Sequence, residues 1–310
     1  MTEPGIVLDP VQVSRELSKL LSPQTVIRHH EPLAKRTTLR VGGPADLYIE
    51  PASESDLAAA LKFCADQQIP IFLLGRGSNL LVRDGGFRGA VICLGQLAFC
   101  GIQVSGEELS CGAGAKLKAV ANEARRSGIG GLEFLEGIPG SIGGGLRMNA
   151  GAMGGAIFDV VVLVRLMDFS GRVQQVAPSA LAVTYRCCGT LKRQIALQAV
   201  LRGRKEPREQ IEQRMSEFSR RRWESQPAAS SAGCMFKNPP TIPAGKLVDE
   251  LGLKGTKVGG AMVSMEHGNF LINDGSGTAR DVLELIEKIR ARARAERGIE
   301  LETEVEILGE

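Results

Sequence analysis

An α+β fold laid out in successive blocks is what the sequence predicts, and three observations carry that prediction. Apolar strand-like runs alternate with a helical period over residues 46–95; several strand-like runs surround one principal helix over 103–206; and a proline opens a charged helical stretch at 207, after which helices and strands mix to the end. The 310 residues suffice for two or three domains, and the change of character places a boundary near 206.

The elements follow in order. DLYIE (46–50) is a short strand, SESDLAAALKFCADQQ (53–68) a helix capped by Ser53 or Ser55, IPIFLLG (69–75) an apolar strand entering a glycine turn, and GAVICLG (89–95) another strand. LSCGAG (109–114) precedes an amphipathic helix in AKLKAVANEARRSG (115–128). Beyond a glycine-dense stretch, DVVVLVRLMD (159–168), GRVQQV (171–176) and IALQAVLRG (195–203) read as strands. The helix over 207–224 places Ile211, Met215 and Phe218 on one face. A helix in AGKLVDELGL (244–253), strands in AMVSM (261–265) and NFLIN (269–273), and a long helix opened by Thr278 and Asp281 as a capping box come next. That long helix turns Val282, Leu285, Ile286 and Ile289 inward. IELETEVEILG (299–309) closes the chain as a strand, in which alternation puts Glu302, Glu304 and Glu306 on one side.

Composition excludes several classes. With 43% hydrophobic and 24% charged residues and a net charge of +3, the chain is an ordinary globular protein without the field that nucleic acid or an anionic membrane demands. MTEPGIVLDP lacks the features of a secretory leader, and no apolar run reaches spanning length, so a cytoplasmic protein is expected. Seven scattered cysteines without CxxC pairs or neighbouring histidines argue against a metal site or a disulfide framework. Most of them sit in apolar runs and read as core.

Two glycine-rich stretches stand apart. In LLGRGSNLLVRDGGFRG (73–89) an apolar strand runs into Gly75, Arg76, Gly77, Ser78 and Asn79, leaving successive backbone N–H groups bare for phosphate oxygens. In GLEFLEGIPGSIGGGLRMNAGAMGG (131–155), Gly137, Ile138, Pro139, Gly140, Gly143, Gly144, Gly145 and Gly151 bring the main chain close to a ligand, with Ser141, Arg147 and Asn149 as polar anchors. Neither stretch is a G-x-G-x-x-G or P-loop fingerprint.

At these residues the chain resembles the UDP-N-acetylenolpyruvoylglucosamine reductases of bacterial cell-wall synthesis. TTLRVGGPAD, LGRGSNLLVRDGGFRG, GLEFLEGIPGSIGGGLRMNAGA, TYR, GCMFKNP and GIELETEVEILG occur in that family's order from about residue 36 onward. The resemblance implies a vanillyl-alcohol-oxidase-like FAD-binding fold: FAD-binding α+β subdomains over 1–95 and 96–206, a substrate-binding α+β domain over 207–299, and the terminal strand 300–310 packing near the first. It implies noncovalent FAD on the two glycine stretches, with no flavin tether, since His29 and His30 precede the match. It also implies NADPH as co-substrate, and hydride delivery from the flavin N5 to C3 of UDP-N-acetylglucosamine enolpyruvate to give UDP-N-acetylmuramate. A monomer or weak oligomer is expected. The short connection after Tyr185 points to the shorter variant of the family, which lacks a loop folded over the substrate.

Hydride addition at C3 pushes charge toward C2 and its carboxylate, so the site must hold that charge and supply one proton. Arg186 in TYRCC matches the family's arginine for the first task, which a planar, permanently charged fork suits. Glu304 matches the catalytic glutamate, although periodicity by itself does not choose among Glu302, Glu304 and Glu306. Cys234 stands where the best-known members have the serine proposed to protonate C2. A thiol is a far stronger acid than an alcohol, but Arg186 or Lys237 nearby threatens to convert it to a thiolate with no proton to give. Tyr185, Lys237, Asn238, Lys246 and His267 are expected around the substrate, with Arg220, Arg221 or Arg222 facing its diphosphate. The same fold also serves alcohol and sugar oxidases, and a non-catalytic nucleotide-binding protein is the remaining alternative.

Overall fold

The computed structural model describes residues 9–310; the first eight residues of the opening block lie outside the described residues. Three sheets organise the chain. The first has the order Val26–Pro32, Pro44–Glu50, Phe87–Cys93, Ile71–Leu74, with its last two pairings parallel. Helix α1 (Pro10–Ser18) and helix α2 (Glu54–Asp66) accompany it. Ser53 caps α2 by accepting the Asp56 N–H at 3.1 Å, and Leu57, Ala60, Leu61 and Cys64 form the buried stripe that the sequence spacing requires.

The second sheet is antiparallel, in the order Val173–Val176, Val161–Asp168, Gln194–Arg202, Glu108–Gly112, Ile102–Ser105. Helix α3 (Leu117–Arg126) buries Leu117, Val120, Ala121 and Ala124. One apolar cluster runs from Val13 through Leu57, Leu109 and Leu166 to Ile211, so the first two sheets share a core. The glycine-dense stretch also contains a short helix, α4 (Ile142–Arg147), which the poor helix propensity of its glycines conceals. It forms because Ile142 and Leu146 are fully buried.

Helix α5 (Arg208–Ser225) leads into the third sheet, ordered Ser230–Cys234, Phe270–Asn273, Ala261–Val263, Lys257–Val258. Helices α6 (Ala244–Glu250) and α7 (Ala279–Arg297) cover it with a separate core that includes Leu247, Val282, Leu285, Ile286 and Ile289. Thr278 and Asp281 form the expected capping box, and Gly298 ends α7 at φ 63. A distant carboxylate reinforces that cap: Asp84, in the loop after Leu80–Val82, accepts the Ala279 and Arg280 N–H groups at 2.8 and 2.9 Å.

The closing strand is shorter than the sequence suggests. Only Glu306–Leu308 is strand, paired in parallel with Leu80–Val82; the preceding segment bends and bridges Phe236 through Thr303. The bend breaks the simple alternation. Glu302 points outward to Lys237 Nζ at 2.9 Å, Glu304 turns inward, and Glu306 meets Arg147 Nη2 at 2.7 Å.

Candidate active site

A cavity of about 850 Å³ opens between the two glycine stretches and the strand Ser230–Cys234. Gly75, Arg76, Gly77, Ser78, Asn79, Gly137, Ile138, Pro139, Gly140, Ser141, Gly144, Arg147 and Gly151 all line it. Gly143 lines an adjoining cavity of about 380 Å³ that shares Gly75, Arg76, Ser141, Gly144 and Arg147 with the first. Asn149 lines neither, although its Oδ1 is buried without a partner while Nδ2 donates to the Thr184 carbonyl at 3.2 Å.

The first stretch has the chemistry of an anion cradle. Among the described residues, none of the five backbone N–H groups from Gly75 to Asn79 donates a hydrogen bond, and a run of unpaired main-chain donors at a cavity wall calls for an external acceptor. Gly77 is sterically required and Gly75 leaves little room. Gly77 sits at φ 61, where a Cβ would overlap the Arg36 carbonyl and lie 2.8 Å from Thr37 Cα, while a Cβ on Gly75 would lie 3.1 Å from Ser141 Oγ of the facing stretch. A bare loop facing a second glycine-rich wall whose amides are mostly paired internally, with Arg76 and Arg147 beside them, fits a pyrophosphate-bearing cofactor such as FAD. Asn79 also holds the site together: its side chain donates to the Glu304 carbonyl at 3.1 Å, and its own carbonyl accepts the Glu306 N–H at 3.1 Å.

Arg186, Cys234 and Glu304 meet at this cavity. Arg186 is second in the two-residue tip of a hairpin (Val183–Thr184 paired with Cys187–Cys188), at φ 54, a left-handed conformation that an arginine holds only under constraint. Its Nε lies 3.0 Å from Glu304 Oε1 and its Nη1 donates to the Gly151 carbonyl at 3.3 Å. Burial pushes the Glu304 carboxyl up, and the charges of Arg186 and Lys237 oppose that rise.

Cys234 lies on a bulged strand. Its register against Phe270–Asn273 slips between Ser231 and Cys234, at Gly233 with φ 77. Burial, then the Glu304 charge, push its thiol up to about 11, against the weaker pull of Arg186 and a hydrogen bond from Asn269. Burial therefore outweighs the arginine, and at neutral pH the sulfur keeps its proton.

The residues expected around the substrate divide. Of the three consecutive arginines only Arg222 lines the cavity; Arg220 pairs with Glu224 at 2.7 Å and Arg221 with Glu217, one turn away on α5. Burial pulls the Arg222 guanidinium down, with Glu136 opposing. Tyr185 is 63% exposed and its ring lies 5.4 Å from the Arg186 guanidinium, outside the cavity wall. Lys237 is engaged by Glu302, Asn238 Oδ1 accepts the Ala244 N–H at 3.0 Å at the start of α6, and Lys246 faces Glu250 at 3.8 Å. His267 stacks edge-on against Phe270 at 4.9 Å and accepts the Asn269 N–H on Nδ1 at 3.1 Å. None of these four lines the cavity.

Sequence reasoning missed a polar lobe at the far end of the cavity. There Arg36 lies 4.4 Å over the Tyr48 ring and pairs with Glu31 at 2.7 Å, and the Tyr48 hydroxyl donates to Glu50 at 2.8 Å. Arg36 opens the TTLRVGG motif region and was the one accessible signal. Tyr48 and Glu50 carry none, because what draws them to the cavity is Arg36, twelve or more residues earlier in the chain.

Both parts of the chain match known proteins. Residues 45–177 match the family described as FAD binding domain, and residues 226–308 the one described as UDP-N-acetylenolpyruvoylglucosamine reductase, C-terminal domain. The chain is 43% identical over 284 residues to the UDP-N-acetylenolpyruvoylglucosamine reductase of Heliobacterium modesticaldum, covering 90% of each. It is 40% identical over 299 residues to that of Syntrophomonas wolfei, covering 95% of this chain and 99% of the relative. The crystal structure of UDP-N-acetylenolpyruvylglucosamine reductase from Thermus caldophilus matches at TM-score 0.80 and 38% identity over 92% of this chain and 99% of that one.

Proposed function

Because the chain belongs to the UDP-N-acetylenolpyruvoylglucosamine reductase family, we propose that the cavity joining the glycine stretches to Arg186, Cys234 and Glu304 is where its substrate is reduced. The protein is an FAD-containing oxidoreductase of peptidoglycan precursor synthesis, with the vanillyl-alcohol-oxidase-like FAD-binding fold and a C-terminal α+β block. It converts UDP-N-acetylglucosamine enolpyruvate to UDP-N-acetylmuramate at the expense of NADPH.

When bound, FAD would supply the chemistry of hydride transfer from NADPH to C3 of the enolpyruvyl group. Its pyrophosphate belongs on the unpaired amides of 75–79 and on the stretch from Gly137 to Gly151, so that residues 1–95 and 96–206 serve the cofactor and 207–299 the substrate. Arg186 neutralises the charge that gathers on the substrate carboxylate and C2. Glu304, buried beside it, keeps the guanidinium in place. The Cys234 thiol gives its proton to C2: the S–H bond breaks, a C–H bond forms, and solvent reprotonates the sulfur before the next turnover. Arg222 meets the diphosphate, and Tyr185, Lys237, Asn238, Lys246 and His267, which lie outside the cavity lining, serve the substrate.

The single observation behind these roles is that Arg186, Cys234 and Glu304, from three distant parts of the chain, line the same cavity as the bare amides. We propose a monomer or weak oligomer. Among the described residues no helix is long and apolar enough to cross a membrane, and we place the enzyme in the cytoplasm. The test is anaerobic: NADPH should bleach the yellow protein, and colour should return only when UDP-N-acetylglucosamine enolpyruvate is added. A colourless protein that takes up no FAD, or bleached protein that the substrate leaves bleached, would refute the assignment.

A further inference from the structure

Asn269 is only 2% exposed and precedes Phe270, the strand partner of Cys234. Its Oδ1 accepts the Phe236 N–H and its Nδ2 donates to the Phe236 carbonyl, both at 2.8 Å. The two bonds also fix which way the amide points, because only oxygen can receive the N–H and only nitrogen can serve the carbonyl. Its own carbonyl accepts the Met235 N–H at 2.8 Å. The side chain thus acts as a peptide unit at the joint where the chain leaves one partner strand for another. Up to Cys234 it pairs with Phe270–Asn273; beyond it, Met235 O accepts the Glu304 N–H at 2.8 Å and the Lys237 N–H donates to Glu302 O at 2.9 Å.

One of the two Nδ2 hydrogens serves Phe236, and the amide also exerts the weakest of the four pulls on the Cys234 thiol, after burial, Glu304 and Arg186. An amide N–H near the sulfur favours the thiolate that remains after the proton departs. The groups whose charges reach that sulfur are Glu304 and Arg186.

Resting on the assignment of Cys234 as the acid, we propose that Asn269 is the positioning residue for the proton transfer: by bracketing Phe236 its amide fixes the joint that holds Cys234 and, through Met235, the Glu304 segment. Asn269→Asp keeps the size and the acceptor for the Phe236 N–H but replaces the donor by an anion.

The test uses the FAD-loaded protein and reads two quantities. The first is the single-turnover rate at which substrate restores the colour of NADPH-bleached enzyme, in wild type, Asn269→Asp, Cys234→Ala and the double variant. The second is the pH midpoint for iodoacetamide alkylation of Cys234, followed by peptide mass. Asn269→Asp should slow the restoration by about 10²-fold, the cost of a catalytic group misplaced by an ångström, and raise the alkylation midpoint. In the Cys234→Ala background it should cost nothing further. A midpoint that stays put, or an equal loss in both backgrounds, would overturn the positioning role. Cys234→Ala restoring colour at the wild-type rate would instead overturn the acid assignment beneath it. If Asn269→Asp does not fold, Asn269→Ser, which leaves the pocket neutral and lacks the amide's reach to the sulfur, carries the same expectations.

Discussion

Arg186 Nε lies 3.0 Å from Glu304 Oε1, yet the Nε hydrogen is aligned with no acceptor. The pair is held by charge and leaves a buried donor unspent, on an arginine in a left-handed backbone conformation at a hairpin tip. An unsatisfied buried donor costs about 1–3 kcal/mol, and so does the strained conformation, which a site tolerates when a ligand uses the group.

Arg186→Lys should therefore lower the rate of colour restoration by substrate by about 10²- to 10³-fold, the loss seen when one electrostatic donor is removed, because lysine keeps the charge without the fork. Both residues meet the same backbone strain, so the urea unfolding midpoint should barely move. An unchanged rate in stopped-flow would contradict the role.

Cys234→Ala should slow turnover by about 10²- to 10⁴-fold, confined to restoration by substrate, and Cys234→Ser should retain part of the activity. With the thiol pushed up to about 11, the protonated form needed for catalysis persists through neutrality. Activity attributable to Cys234 should then fall only as pH rises toward that value. A midpoint for Cys234 alkylation near neutrality in the free enzyme would contradict the buried-thiol picture.

Gly77→Ala and Gly106→Ala separate conformational cost from site damage. Both glycines sit at φ 61, but a Cβ at Gly106 meets nothing within 4 Å, whereas at Gly77 it strikes the backbone of Arg36 and Thr37. Gly106→Ala should cost about 1 kcal/mol and leave FAD retention untouched. Gly77→Ala should lose FAD on gel filtration, and equal retention by the two variants would remove the first glycine stretch from the cofactor site.

His267 is held below its usual range by burial, with Lys254 adding to the effect. For a histidine with a lowered folded value, the folded chain takes up its proton later than the unfolded chain, so stability is full above the unfolded value of about 6.5 and declines as pH falls below it. Protonation of Nδ1 would also forfeit the bond from the Asn269 N–H. His267→Gln should flatten this decline, measured as the difference in urea midpoint between about pH 7.5 and about pH 5.5. The same slope in both proteins would assign it to other groups.

The sequence by itself determined what depends on near neighbours. The Ser53 and Thr278 caps, the stripe on α2, the inward face of α7 and the bare glycine turn at 75–79 are set within a few residues, where side-chain spacing and backbone freedom act directly. The roles of Arg186, Cys234 and Glu304 were legible only through the resemblance to the reductase family, since spacing alone left Glu302, Glu304 and Glu306 equivalent. Tertiary structure decided which of several equivalent groups faces the cavity. Glu304 turns inward and Glu302 outward because Met235 and Asn79, far away in the chain, bend the closing segment. Arg222 faces the cavity while Arg220 and Arg221 are spent on their own helix. Whether Cys234 keeps its proton turned on a balance of burial against the charges of Glu304 and Arg186, and that balance exists only once chain segments separated by tens of residues have packed around one sulfur.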